Sequence, residues 1–287
     1  MKNYAVEKIK SQVLGLFNPD ELLGDEKTNR FGLGLCNHKI SVSGDRNQII
    51  TIKDYQFPVN QGRRYGLGRI KKSIDILENE FGGSGVINQV IRKKTLKKVN
   101  EVIHDLANMN FTRDDRFGVF GFAEQHLDLK ESNKYFKNFI ERMQHYKNND
   151  KPFKYLAGIH FRQKTRDSIH YNVLWDLPYI PQKELLQLWG KGSGSVWITR
   201  INHVLNIGDY MLGYMGKEIK DKRFENNKSY LCSRGLKRTV WVNADDKEIA
   251  EIKKDLKLGN EKETYRKRTL TEYFGWRNLT EYNLEKG

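Results

Sequence analysis

Three polar side chains in the middle of the chain have the types and spacing to hold a cation. His170 and Asn172 sit two apart in SIHYNVLW, a run that alternates polar and apolar residues. Side chains alternate across a strand, so these two project from one face. The preceding run YLAGIHFR places Tyr155, Ala157, Ile159 and Phe161 on one face, and Leu156, Gly158, His160 and Arg162 on the other. With Gln163 to Asp167 as the turn of a hairpin, Arg162 pairs with Ser168 and His160 falls opposite His170. Directly opposed residues share a face and lie about 5 Å apart at Cβ. The expectation is a polar sheet face bearing His160, His170 and Asn172. Imidazole suits transition metals and an amide oxygen suits harder ions. A slip of one residue would scatter the set. Histidines that only hydrogen-bond on an open sheet face would show the same spacing.

A second group could act on what such a cation polarises. IGDYMLGYMGKEIK (Ile207–Lys220) reads as a helix, with Tyr210 and Tyr214 one turn apart and Lys217 on the same side. A phenol has a pKa of about 10 and is a poor nucleophile when neutral. It becomes useful where a cation favours phenolate and a metal polarises the electrophile. A histidine-bound metal beneath a tyrosine-bearing helix would suit attack on a phosphodiester. The same tyrosines would also serve as core aromatics of an amphipathic helix.

The composition points to a polyanion partner. The chain has 287 residues and a net charge of +15, spread through patterned segments instead of one tail. Nucleic acid is the simplest partner for that balance; a generally basic protein is the plainer alternative. Arg92, Lys94, Lys97 and Lys98 open the amphipathic run Ile91–Met109, either as DNA-backbone contacts or as a solvated helix face. Arg162 is a further candidate for DNA contact at the hairpin end. Cys36 and Cys232 are too few and too far apart for a disulfide framework or a zinc knuckle, and a reduced, cytoplasmic setting is expected. No apolar run approaches the ~18 residues of a membrane span, and MKNYAVEKIK has no signal-peptide core, so no membrane partner is expected.

Periodicity then orders the elements. His38 to Val59 reads as a hairpin turning at SGDRN, and Asn60 to Gly85 as a Gly- and Arg-rich stretch with a helical island at Ile70–Phe81. After the helix Ile91–Met109 come a buried strand at Arg116–Ala123, a helix at Asn133–Tyr146 and the polar hairpin. A short helix at Pro181–Trp189, a strand at Ser195–Ile201 and the tyrosine helix follow. This order predicts an α+β fold: an antiparallel sheet with helices on one face and the other face open for ligand. The expected division is residues 1–109 as an N-terminal extension with a hairpin and the basic amphipathic helix, 110–242 as the central sheet domain, and 243–287 as a C-terminal helix with an aromatic-rich extension. The two flanks would be basic segments that grip DNA.

The runs IHYNV, DLPYIPQKELLQLWG, DYMLGYMGKEI and YLCSRGLKR, in this order, resemble the rolling-circle replication initiators of Gram-positive bacteria, their phages and plasmids. These belong to the HUH endonucleases. The likeness runs from about His38 to the C-terminus, with FGVFGFAE (Phe117–Glu124) as the family's first motif. It implies an RRM-like sheet, Mg²⁺ or Mn²⁺ held by His170, Asn172 and His160, and Tyr214 as the nucleophile that nicks single-stranded origin DNA. The reaction leaves a 5′-phosphotyrosine and a free 3′-OH. Tyr210 would be a second acceptor, and Lys217 would neutralise charge on the phosphate or favour phenolate. Five positions depart from the pattern. Asn172 stands where a second histidine is usual, His160 for an acidic residue, Val119 and Gly121 for threonines, and Gly213 for a lysine. These departures keep open a second reading, a single-stranded DNA-binding protein of the same fold without the chemistry. A mobilisation relaxase is a third. GLGRIKK (Gly66–Lys72) lacks the spacing of a helicase phosphate-binding loop, so unwinding would fall to a separate helicase.

Overall fold

A computed structural model describes residues 35–44, 48–60, 98–123, 128–146, 153–162, 168–190, 193–204, 206–215, 222–224, 227–271 and 275–286. The helical island at Ile70–Phe81 lies outside them, as do Arg92, Lys94, Lys97 and Lys217. The chain forms two compact units, one of Lys93–Arg238 and one of Met1–Arg92 with Thr239–Gly287. Together they hold two five-stranded antiparallel sheets and several helices, an α+β fold. Among the described residues no helix is long and apolar enough to cross a membrane.

In the unit Lys93–Arg238 the sheet order is β6-β3-β5-β4-β7. The strands are β3 (Arg116–Phe122), β4 (Tyr155–Arg162), β5 (Ser168–Trp175), β6 (Ser193–Arg200) and β7 (Tyr230–Cys232). The register of β4 on β5 is the expected one, with Arg162 opposite Ser168 and His160 opposite His170. Alternation sends Ile159, Phe161, Ile169, Tyr171, Val173 and Trp175 to one face. There they pack under α2 (Leu129–Tyr146) and α3 (Gln182–Trp189). Phe136 of α2 stacks on Tyr171 at 4.4 Å, and the Tyr171 hydroxyl donates to Asn133 Oδ1 at 2.9 Å. Helix α2 starts a turn earlier than its apolar pattern suggests. The Asp128 carboxylate accepts the Glu131 N–H at 2.8 Å and supplies the N-terminal cap.

The second face is covered over half its extent, which corrects the expectation of helices on one face only. Pairing brings Phe117, Leu174 and Leu156 into one apolar row across β3, β5 and β4. Such a row cannot stay in water. Helix α1 (residues 98–110) and helix α4 (Ile207–Met215) close over it through Ile103, Leu106, Ala107 and Met211. The basic-leading helix is thus built into this unit, not into an N-terminal extension. Its end is tied to the YLCSRGLKR segment: Lys237 N–H donates to Asn110 Oδ1 at 2.6 Å, and Asn110 Nδ2 donates to Lys237 C=O at 2.9 Å. By packing, the divisions fall at 92/93 and 238/239 instead of at 109/110 and 242/243.

The two flanks are likewise one unit and not two extensions. Strand β10 (Gly275–Asn283) pairs with β2 (Ile49–Asn60), Thr280 opposite Ile52 and Tyr282 opposite Ile50. With β1 (Leu35–Ser43), β8 (Val242–Ala244) and β9 (Glu263–Thr271) the order is β8-β1-β2-β10-β9. Helix α5 (Asp246–Asp255) opens with a capping box between Asp245 and Glu248, then packs Ile249 and Ile252 on Ile40, Ile50 and Ile52. His38 joins these parts. Its Nδ1 lies 2.7 Å from Asp54 Oδ1, and its Nε2 lies 2.7 Å from Asp246 Oδ1.

Candidate active site on the open half of the sheet

Beyond the apolar row, two further rows cross the uncovered half of the same face. One runs Trp197, Val119, Asn172, Gly158 over β6, β3, β5 and β4. The next runs Ser195, Gly121, His170, His160. Strand pairing alone therefore places both imidazoles side by side, with the amide one row along. The His160 and His170 rings are 4.3 Å apart at their centroids, inclined at 59°. Asn172 is buried at 2% exposure, and both histidines are half-buried. Gly121 leaves the floor low beside His170, where a Cβ would meet Ser195 Oγ at 3.1 Å.

Helix α4 is fixed over the edge of this face by its N-terminus. Asn206 Oδ1 accepts the Asp209 N–H at 3.0 Å, and Asn108 of α1 reaches across to cap the same turn. Asn108 Oδ1 accepts the Gly208 N–H at 2.8 Å, and its Nδ2 donates to Asn206 Oδ1 at 3.0 Å. Gly208 is needed for this approach, because a Cβ there would sit 2.5 Å from the His104 ring. With its start held against α1, α4 carries both tyrosines onto Phe117. Phe117 meets the Tyr214 ring at 4.7 Å and the Tyr210 ring at 5.2 Å, edge-on to the latter. Their hydroxyl oxygens are 3.5 Å apart, the long limit of a hydrogen bond.

The two phenols differ. Tyr214 is 41% exposed and lines the cleft; Tyr210 is half-buried behind it. Burial, and then the hydrogen bond to Tyr214, push the Tyr210 phenol well above its ordinary range. Tyr210 thus keeps its proton and can donate it in a hydrogen bond to the Tyr214 oxygen.

A cleft of about 710 Å³ gathers these groups, with His160, His170, Asn172 and Tyr214 all in its walls. Of the other expected site residues, Lys98 is exposed at the start of the described part of α1. Arg162 ends the β4 register opposite Ser168, itself a lining residue. Gly213, one residue before Tyr214, faces open space that a larger side chain could occupy. The sequence pattern did not single out Trp197 and Ser195, which also line the cleft. The signal was the alternation in SVWITRI, which puts Ser195, Trp197 and Thr199 on one face; which face required the β3–β6 register.

No family model, no curated protein and no solved structure matches this chain. The chemistry of the cleft therefore rests on its own residues. Two nitrogens that share an ion at about 2.1 Å each must lie within about 4 Å of each other. Imidazoles opposed across β4 and β5 can satisfy that, and Asn172, one row along on the same face, could offer its amide oxygen as a third donor. Among the described lining residues none is Asp or Glu. Nitrogen-rich donors without a carboxylate fit Mn²⁺ better than Mg²⁺.

Proposed function

We propose that this protein is a metal-dependent single-strand DNA endonuclease and strand transferase that initiates rolling-circle replication, acting in a cytoplasmic setting with a separate helicase. The observation that carries the reading is the convergence of His160, His170, Asn172 and Tyr214 on one cleft of an otherwise covered sheet. His160, His170 and Asn172 would hold the ion. When bound, a divalent cation supplies Lewis-acid polarisation of the scissile phosphodiester.

The remaining work belongs to the chain. Phe117 holds the Tyr214 ring in place, and the Tyr210 hydroxyl, 3.5 Å from the Tyr214 oxygen, steadies that oxygen's position. Lys217, three residues on in sequence and outside the described residues, would be the source of positive charge for the phosphate. The Tyr214 oxygen attacks phosphorus and forms the new P–O bond as the bond to the 3′ oxygen breaks. The leaving 3′ oxygen takes up the proton that the Tyr214 phenol gives up and becomes the free 3′-OH; the 5′ phosphate stays on Tyr214. The number of phosphodiester linkages is unchanged, so the step needs no co-reactant and reverses for joining.

The absence of a carboxylate from the described lining favours one alternative, a single-strand-binding protein that does not nick. Incubation with single-stranded origin DNA and Mn²⁺, read on a denaturing gel, separates the two. A covalent protein–DNA adduct supports nicking, and DNA binding without adduct supports the alternative.

A further inference from the structure

The cleft contains a side chain that the nicking reaction does not use. Trp197 projects from β6 into it and is 49% exposed. The tryptophans on the other side of the sheet behave differently: Trp175 of β5 and Trp189 of α3 are almost wholly buried in the aromatic core. Trp197 meets Phe117 edge-on at 6.3 Å and 74°, and about half of the residue stays open to solvent. An exposed indole on a strand interior is not explained by packing.

Its surroundings suit a flat ligand. Between Trp197 and the imidazoles the floor consists of Val119 and Gly121, one short and apolar, the other without a side chain. Two strand spacings, about 10 Å, separate Trp197 from Asn172. That leaves room for one planar group beside the donor residues. Tyr214 brings a second exposed ring to the same cleft, and Ser195 places an exposed hydroxyl at its edge.

We propose that Trp197, above the floor of Val119 and Gly121, forms a subsite for one unpaired nucleobase next to the scissile phosphate. The proposal rests on the reading that the cleft takes single-stranded DNA. Stacking tolerates any base, because every base has a π-face. The Ser195 hydroxyl, both donor and acceptor, can meet the base edge. Trp197 is thus a positioning residue: it fixes the nucleotide so that the adjoining phosphate meets Tyr214.

Fluorescence anisotropy with a short labelled single-stranded oligonucleotide, in EDTA to prevent turnover, tests this. Trp197→Ala should weaken binding about 5- to 150-fold, and Trp197→Phe, which keeps a ring, should restore most of it. An abasic nucleotide moved along the strand should cost the wild type a similar factor at one position, and cost Trp197→Ala nothing more there. The abasic scan of the wild type needs no variant, and circular dichroism checks that Trp197→Ala is folded. Wild-type affinity that is blind to every abasic position overturns the subsite and leaves single-strand binding intact. Abasic losses that add fully to the Trp197→Ala loss at every position do the same. A wild type that binds no oligonucleotide at all overturns the underlying reading as well.

Discussion

Phe117 and Phe120 sit on opposite faces of β3, both wholly buried, and each meets three aromatic rings. Phe120 packs on Phe139, Trp175 and Trp189 at 4.8–5.4 Å inside the closed core. Phe117 packs on Tyr214, Tyr210 and Trp197 at 4.7–6.3 Å, beneath the cleft. Replacing either by leucine keeps an aliphatic filling and removes the ring–ring packing. A buried ring pair adds about 0.5–1.5 kcal/mol beyond its area, so Phe120→Leu should cost about 3 kcal/mol. Two of Phe117's partners are half in water, so Phe117→Leu should cost nearer about 2 kcal/mol. The consequences for chemistry should run the other way. Phe117→Leu loosens the Tyr214 ring, and a misplacement of about 1 Å can cost about 100-fold in rate. Urea unfolding measures the stability loss, and single-turnover adduct formation with saturating DNA and Mn²⁺ measures the chemistry. We expect Phe117→Leu to slow the adduct about 10- to 100-fold and Phe120→Leu to change it little. Equal slowing in both, or an unchanged rate in Phe117→Leu, would refute the idea that Phe117 positions the nucleophile.

Three further outcomes follow from other parts of the molecule. The affinity for single-stranded DNA should fall with salt at a log–log slope steeper than about −3, and neutralising Lys94, Lys97 and Lys98 together should flatten it by about 1 for each phosphate these lysines neutralise. A flat salt profile in the wild type would remove a polyanion as the main partner. Asn172→His should tighten Mn²⁺ binding in calorimetry, since Gly158 beside it in the row leaves space for an imidazole; unchanged affinity would move the ion elsewhere. The third outcome concerns His38. Hydrogen bonding to Asp54 leads in raising its pKa from 6.5, against burial and with help from Asp246. A raised folded pKa means the stabilisation is complete below about pH 6.5 and is lost as pH rises through the folded value. The wild type's melting temperature should therefore drop with rising pH in that window while that of His38→Gln does not, and parallel profiles would contradict the clamp.

The part of the site that was legible in the sequence is the part set by local alternation. YLAGIHFR and SIHYNVLW each alternate cleanly and only five polar residues separate them in sequence, so one register satisfies both faces, and His160 meets His170. What the sequence hid depends on pairing between distant segments. The row Phe117–Leu174–Leu156 exists only once β3, β5 and β4 are side by side, so nothing in Ile103, Leu106 and Ala107 revealed which surface they would cover. Trp197 reads as one more strand aromatic until the β3–β6 register puts it in line with Val119 and Asn172. The second sheet is hidden for the same reason. The aromatic-rich C-terminal run gives no clear strand signal of its own, and the partner of β10, β2, lies more than two hundred residues earlier. The early start of α2 turned on one carboxylate, Asp128, ahead of the apolar pattern.

The central claim is that Tyr214, lying in the cleft with His160, His170 and Asn172, attacks the phosphodiester. Peptide mass spectrometry of the adduct formed with single-stranded origin DNA and Mn²⁺ tests it most directly. The expected result is phosphate on Tyr214, with no adduct from Tyr214→Phe and an intact first nick from Tyr210→Phe. Phosphate on Tyr210 alone, or DNA binding with no modified tyrosine, would contradict it.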